Sequence, residues 1–103
     1  MIRGIGTDII EIERIRQAVA KERFVARVYT QGEQEYCRGR GVQAAASFAA
    51  RFSGKEAVLK AFGTGLRGGT LLDVEIMPDA LGAPRVKLHG YFAELARQRG
   101  IKE

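Results

Sequence analysis

The chain contains no tryptophan, one cysteine, one histidine and two prolines in 103 residues. Each shortage excludes something. Cys37 alone cannot close an internal disulfide, which suits a reducing compartment such as the cytoplasm. One cysteine and one histidine, His89, cannot build a zinc site of the usual kind. A metal bound here would therefore be a hard cation on carboxylate oxygens. His89 falls in a different predicted element from Cys37, so Cys37 reads as a small apolar helix residue rather than a nucleophile. No apolar run approaches the ~20 residues that cross a bilayer. The N-terminus shows no basic stretch followed by an apolar one, so no signal peptide is expected.

What is present is ordinary globular composition, 46% hydrophobic and 28% charged. The length predicts a single domain over 1–103 with room for one small core. The formal charge is +5, and it is local. Residues 1–36 and 68–103 each balance acids against bases. Residues 37–67 hold Arg38, Arg40, Arg51, Lys55, Lys60 and Arg67 against one acid, Glu56. A local excess of this kind points to a local anionic partner.

Residues 1–7 alternate apolar and small and read as a short strand weakened by Gly4 and Gly6, with Asp8 at its end. Ile9, Ile12, Ile15 and Val19 recur at helical spacing, predicting a helix over about 9–20 that continues helically through 21–29. Thr30 and Glu33 match a capping box and start a helix at about 31–38. Residues 42–62 carry seven alanines, no proline and one internal glycine, Gly54, so a long helix is expected there. Phe48, Phe52 and Leu59 share one of its faces, and Gly63-Thr64-Gly65 stops it. Residues 71–77 alternate as a strand, 78–84 form a turn, 85–88 complete a hairpin, and 90–99 form a last helix. This order predicts an α+β fold, a small antiparallel sheet covered by helices.

The long helix holds the unusual chemistry. Successive helix positions lie about 100° apart, so Lys55, Glu56 and Lys60 fall on one polar arc with Arg51 beside Lys55. Two readings fit. A glutamate four residues before a lysine is a routine exposed pair worth ~0.2–0.5 kcal/mol. Alternatively, three bases around one carboxylate suit a polyanion bridged by a cation. Asp8 supplies a second carboxylate, and two carboxylates with phosphate oxygens and water form a usual Mg²⁺ shell. The glycines of Gly63-Thr64-Gly65 are a helix stop whose amides could also contact a phosphate. A nucleic-acid-binding module is the rival class for a basic stretch, but no aromatic platform interleaved with the bases is visible.

Two segments carry a resemblance. Gly4-Ile5-Gly6-Thr7-Asp8-Ile9-Ile10-Glu11-Ile12-Glu13-Arg14-Ile15 is similar to one signature of bacterial holo-[acyl-carrier-protein] synthases. Arg51-Phe52-Ser53-Gly54-Lys55-Glu56-Ala57-Val58-Leu59-Lys60-Ala61-Phe62-Gly63-Thr64-Gly65 is similar to the other. These are members of the 4′-phosphopantetheinyl transferase family. Phe24 to Thr30, Asp73-Val74-Glu75-Ile76 and Gly82-Ala83-Pro84 fit as well, so the resemblance covers nearly the whole chain.

The resemblance implies transfer of 4′-phosphopantetheine from coenzyme A to a serine of apo acyl carrier protein, with release of adenosine 3′,5′-bisphosphate. It implies Asp8 and Glu56 as magnesium ligands, with Glu56 and Lys60 catalytic. It implies Arg51, Lys55, Lys60, Gly63, Thr64 and Gly65 as coenzyme A contacts. Arg14, Arg23, Phe24 and Arg27 would form the carrier-protein face of a cytoplasmic homotrimer with active sites between subunits. Neither nucleic acid nor membrane is an expected partner. The resemblance further implies a C-terminal strand with a Ser-His pair that these 103 residues do not include, so a coenzyme A-binding chain without activity is the second expectation. Gly54 stands where the family usually carries a slightly larger residue, at ~0.5–1 kcal/mol of helix stability.

Overall fold

The computed structural model describes the backbone of residues 5–101 and the side chains of residues 9–101. In chain order the elements are α1 (Ile5–Ala18), α2 (Glu22–Val28), α3 (Gln31–Arg38), α4 (Ala44–Phe62), β1 (Val74–Pro78), β2 (Pro84–Leu88) and α5 (Gly90–Gln98). Single 3₁₀ turns precede α4 at Gly41–Gln43 and β1 at Leu71–Asp73. The architecture is the expected one, helix-rich with a small antiparallel sheet.

One expected element is replaced. Residues 5–7 are the first turn of α1 and not the end of a strand, while 1–4 lie outside the described residues. The physical reason is phase: Ile5 stands four before Ile9 and seven before Ile12, so it continues the helical repeat, and a three-residue alternation across glycine cannot outweigh that. The helical repeat over-counts in turn, because Ile9 and Ile10 are exposed while Ile15 is buried. Likewise 71–73 turn as 3₁₀ before the strand begins at Val74, because the Thr70 hydroxyl accepts from the amide of Leu72 and caps that turn.

Two cores meet along α4. Ile15, Val25, Val28, Tyr29, Cys37, Phe48 and Ala49 form the first, between α1, α2, α3 and the first half of α4. Phe62, Val74, Ile76, Leu88, Phe92 and Ala96 form the second, between the end of α4, the hairpin and α5. At 19 residues and about 1.5 Å per residue, α4 is long enough to serve both. The Tyr29 hydroxyl donates to the Phe48 carbonyl at 2.9 Å, and its ring meets Phe48 edge-on. Arg99, at the end of α5, donates to the Phe62 carbonyl at 2.9 Å and caps the other end of α4. Gly54 lets α4 lie close on the sheet: a Cβ there would stand 2.5 Å from Ile76 Cδ1.

β1 and β2 pair antiparallel with Ile76 opposite Val86 and Pro78 opposite Pro84. Both prolines share the backbone phase of Ile76, whose N–H points away from β2 to a side chain. Their missing N–H groups therefore cost no ladder bond. In the connecting turn Asp79 accepts from the amides of Leu81 and Ala83, each at 2.9 Å, and pairs with Arg85.

Candidate active site on the long helix

The four charges of α4 do not share one arc. Glu56 and Lys60 are exposed, whereas Arg51 and Lys55 are buried. The reason lies in the apolar repeat. Phe48, Phe52, Leu59 and Phe62 advance by fours and threes if position 55 is included, so Lys55 occupies a core position of the helix.

A buried ammonium must be satisfied within the protein, and this one is. Lys55 Nζ lies 2.8 Å from Glu33 Oε1 and 2.9 Å from the Leu71 carbonyl, and it also donates to the Val74 carbonyl. Three acceptors use its three protons, leaving none for a phosphate. Burial pushes the Lys55 pKa down, and Glu33 opposes that shift. Glu33 is equally occupied: Oε1 accepts from the Thr30 amide at 2.9 Å and Oε2 from the Ile76 amide at 2.7 Å. The expected capping box is therefore present, and its glutamate reaches further than a cap needs to.

Arg51 is held on the inner side as well. Its Nη1 donates to the Ser47 hydroxyl at 3.1 Å and the Ser47 carbonyl at 3.3 Å, its guanidinium lies 4.6 Å from the Tyr36 ring centre, and its Nε is buried without a partner. Ser47 also accepts from the Cys37 thiol at 3.3 Å. Burial pushes that thiol's pKa up, consistent with an inert cysteine.

The outer end of α4 is open. Lys60 borders a depression of about 350 Å³ with Leu59, Gly63 and Gly65. Gly63 has φ of 76°, the left-handed conformation that closes many helices, and its amide is spent on the carbonyls of Leu59 and Lys60. Among the described residues the amides of Thr64 and Gly65 donate to no protein acceptor. Glu56 and Lys60 make no ion pair among the described residues, so their charges face solvent unspent.

Asp8 lies in the first turns of α1; its side chain is outside the described residues. It precedes Glu11 by three residues, and Glu11 lines a cleft between α1 and α4 that reaches Ser53, three residues before Glu56. Arg23 and Arg27 are exposed four apart on α2. Arg14 is exposed and paired with Glu11 at 3.3 Å. Phe24 is half-buried, its ring 6.1 Å from those of Tyr29 and Phe52. His89 precedes α5 and its Nε2 lies 3.0 Å from Glu75 Oε1. Sequence reasoning did not assign Glu33 beyond its cap; the signal that could have found it was a lysine at a core position of α4, which demands a buried carboxylate.

A family model described as the 4′-phosphopantetheinyl transferase superfamily matches residues 4–101. A holo-[acyl-carrier-protein] synthase of Magnetococcus marinus is 46% identical over 99 residues, covering 91% of this chain and 72% of that protein. One of Koribacter versatilis is 44% identical over 103 residues, covering 97% and 82%. The solved structure of a Plasmodium yoelii acyl carrier protein synthase with ADP bound superposes with a TM-score of 0.70 at 28% identity, covering 89% of this chain and 72% of that one.

Proposed function

Because the chain belongs to the 4′-phosphopantetheinyl transferase superfamily, we propose that it transfers 4′-phosphopantetheine from coenzyme A to a serine of an apo acyl carrier protein, releasing adenosine 3′,5′-bisphosphate. The observation that carries the reading is the exposed Glu56–Lys60 face at the end of α4, beside the left-handed turn at Gly63.

The Glu56 carboxylate suits a magnesium ion, since it is exposed and free of an ion pair among the described residues. Glu56 and Asp8 would hold it, with water completing the shell. When bound, the ion neutralises the pyrophosphate and polarises the phosphoryl group. Lys60 stands five residues on from Lys55, about 40° around the axis from Glu56. From there its ammonium stabilises or protonates the phosphate that departs as the serine oxygen bonds to the transferred phosphorus. The serine proton passes to Glu56 or to a water that Glu56 or the ion would hold. The Thr64 and Gly65 amides orient the departing phosphate. Positioning and charge stabilisation carry most of such a transfer. Arg23 and Arg27, with Arg14, form an exposed basic surface for an acidic carrier protein. The active unit is a cytoplasmic homotrimer.

Incubation with apo carrier protein, coenzyme A and Mg²⁺, followed by intact-mass measurement of the carrier protein, tests the reading. The expected result is a gain of one phosphopantetheine group that EDTA abolishes. No gain, in a preparation that converts fully with a control transferase, overturns it.

A further inference from the structure

Glu33 and Lys55 are fully shut away from solvent, and the reading above gives neither a part in the chemistry. The geometry points to this ion pair as the positioning device of the proposed transfer site: it fixes how α4 is turned against β1, and so where Glu56 and Lys60 stand. The inference rests on the transfer reading.

Lys55 has acceptors on three separate pieces of chain. Glu33 belongs to α3, Leu71 to the 3₁₀ turn and Val74 to β1. Glu33 in turn holds the Ile76 amide, so the pair closes the outer edge of β1 that β2 leaves open. Leucine at position 55 would bury as well, but apolar contact tolerates a small rotation, whereas several directed N–H···O bonds do not. Gly54 brings α4 within reach of these acceptors, because nothing larger than hydrogen separates its backbone from Ile76. With Lys55 pointing inward, Glu56 is turned about 100° and Lys60 about 140° away, both onto the open side. A misplacement of about 1 Å at such groups can cost ~10²-fold in rate.

The test compares wild type, Lys55→Met and the double variant Glu33→Gln/Lys55→Met. Methionine keeps the length of the lysine stem. Glutamine keeps one of the two acceptors that the Thr30 and Ile76 amides use and offers N–H groups to the orphaned carbonyls. The double variant therefore leaves no buried charge unpaired but is expected to melt below the wild-type midpoint. Two readouts are taken well below each midpoint. The first is the amide spectrum of the protein without substrates. The second is kcat against KM for carrier protein in the transfer assay.

The inference expects the amides of residues 56–63 to shift and broaden in the double variant while those of α5 stay in place. It expects kcat to fall at least tenfold with KM for carrier protein unchanged. A double variant with wild-type amides over 56–63 overturns the inference whatever the assay gives. So does one with wild-type kcat, because the pair would then serve stability alone. A wild-type protein that transfers nothing overturns the transfer reading instead, and the amide comparison still decides the clamp.

Discussion

At the residue scale, the sign of a charge in the sequence said less than its place in the repeat. Arg51, Lys55, Glu56 and Lys60 look alike as a basic cluster, and the structure divides them into two inner and two outer groups. The division was legible in outline. Position 55 falls in the apolar progression that runs from Phe48 to Phe62. What could not be read was the partner, because Glu33 lies 22 residues earlier and was already explained by its capping box. Glu75 is a second such residue. Its carboxyl is held below its ordinary value of 4.5, first by the Thr30 hydroxyl at 2.5 Å and then by His89. A carboxyl whose folded pKa lies below its unfolded one adds stability that is complete above the unfolded value and is lost as pH falls through the folded value. Glu75→Gln should therefore lower the unfolding free energy at neutral pH and flatten its decline below about pH 4.5. Denaturant titrations across that range check this, and parallel wild-type and variant curves would contradict it.

At the element scale, the helices and the hairpin were predictable from period and punctuation, and the start of α1, expected as the end of a strand, was not. Residues 5–7 were too few and too glycine-rich for alternation to decide between strand and helix. The contact of α4 with β1 was also beyond sequence reasoning, because Gly54 looked like a plain helix cost. In the structure it is a close approach, with Ile76 Cδ1 where an alanine methyl would go. Gly54→Ala gains helix propensity of ~1 kcal/mol. It also forces a side chain that is 7% exposed to move in a packed core. Overpacking of this kind costs about 1–3 kcal/mol, so a net loss is expected. Ile76→Val removes the obstructing methyl. The double variant Gly54→Ala/Ile76→Val should therefore be more stable than the two single changes summed predict, by a double-mutant cycle from denaturant unfolding. Simple additivity would contradict the contact.

At the scale of the whole molecule, two cores share one helix, and the helix delivers its unpaired charges to the outside at one end. The concentration of charge in residues 37–67 is enough by itself to point to an anionic ligand. Its assignment to a phosphate donor came from two signature segments rather than from composition. The fold divides the basic cluster: Lys55 is spent inside, while Glu56 and Lys60 are exposed and make no ion pair among the described residues, so the proposed transfer site draws on those two. The central claim is that Glu56 works at the reacting phosphoryl group. The rate of phosphopantetheine transfer by Glu56→Gln tests it most directly, in a protein whose melting midpoint matches the wild type. The expected result is a loss of roughly 10²–10³ in rate, the scale for one electrostatic contact to the transition state. A Glu56→Gln variant that modifies the carrier protein at the wild-type rate would contradict it.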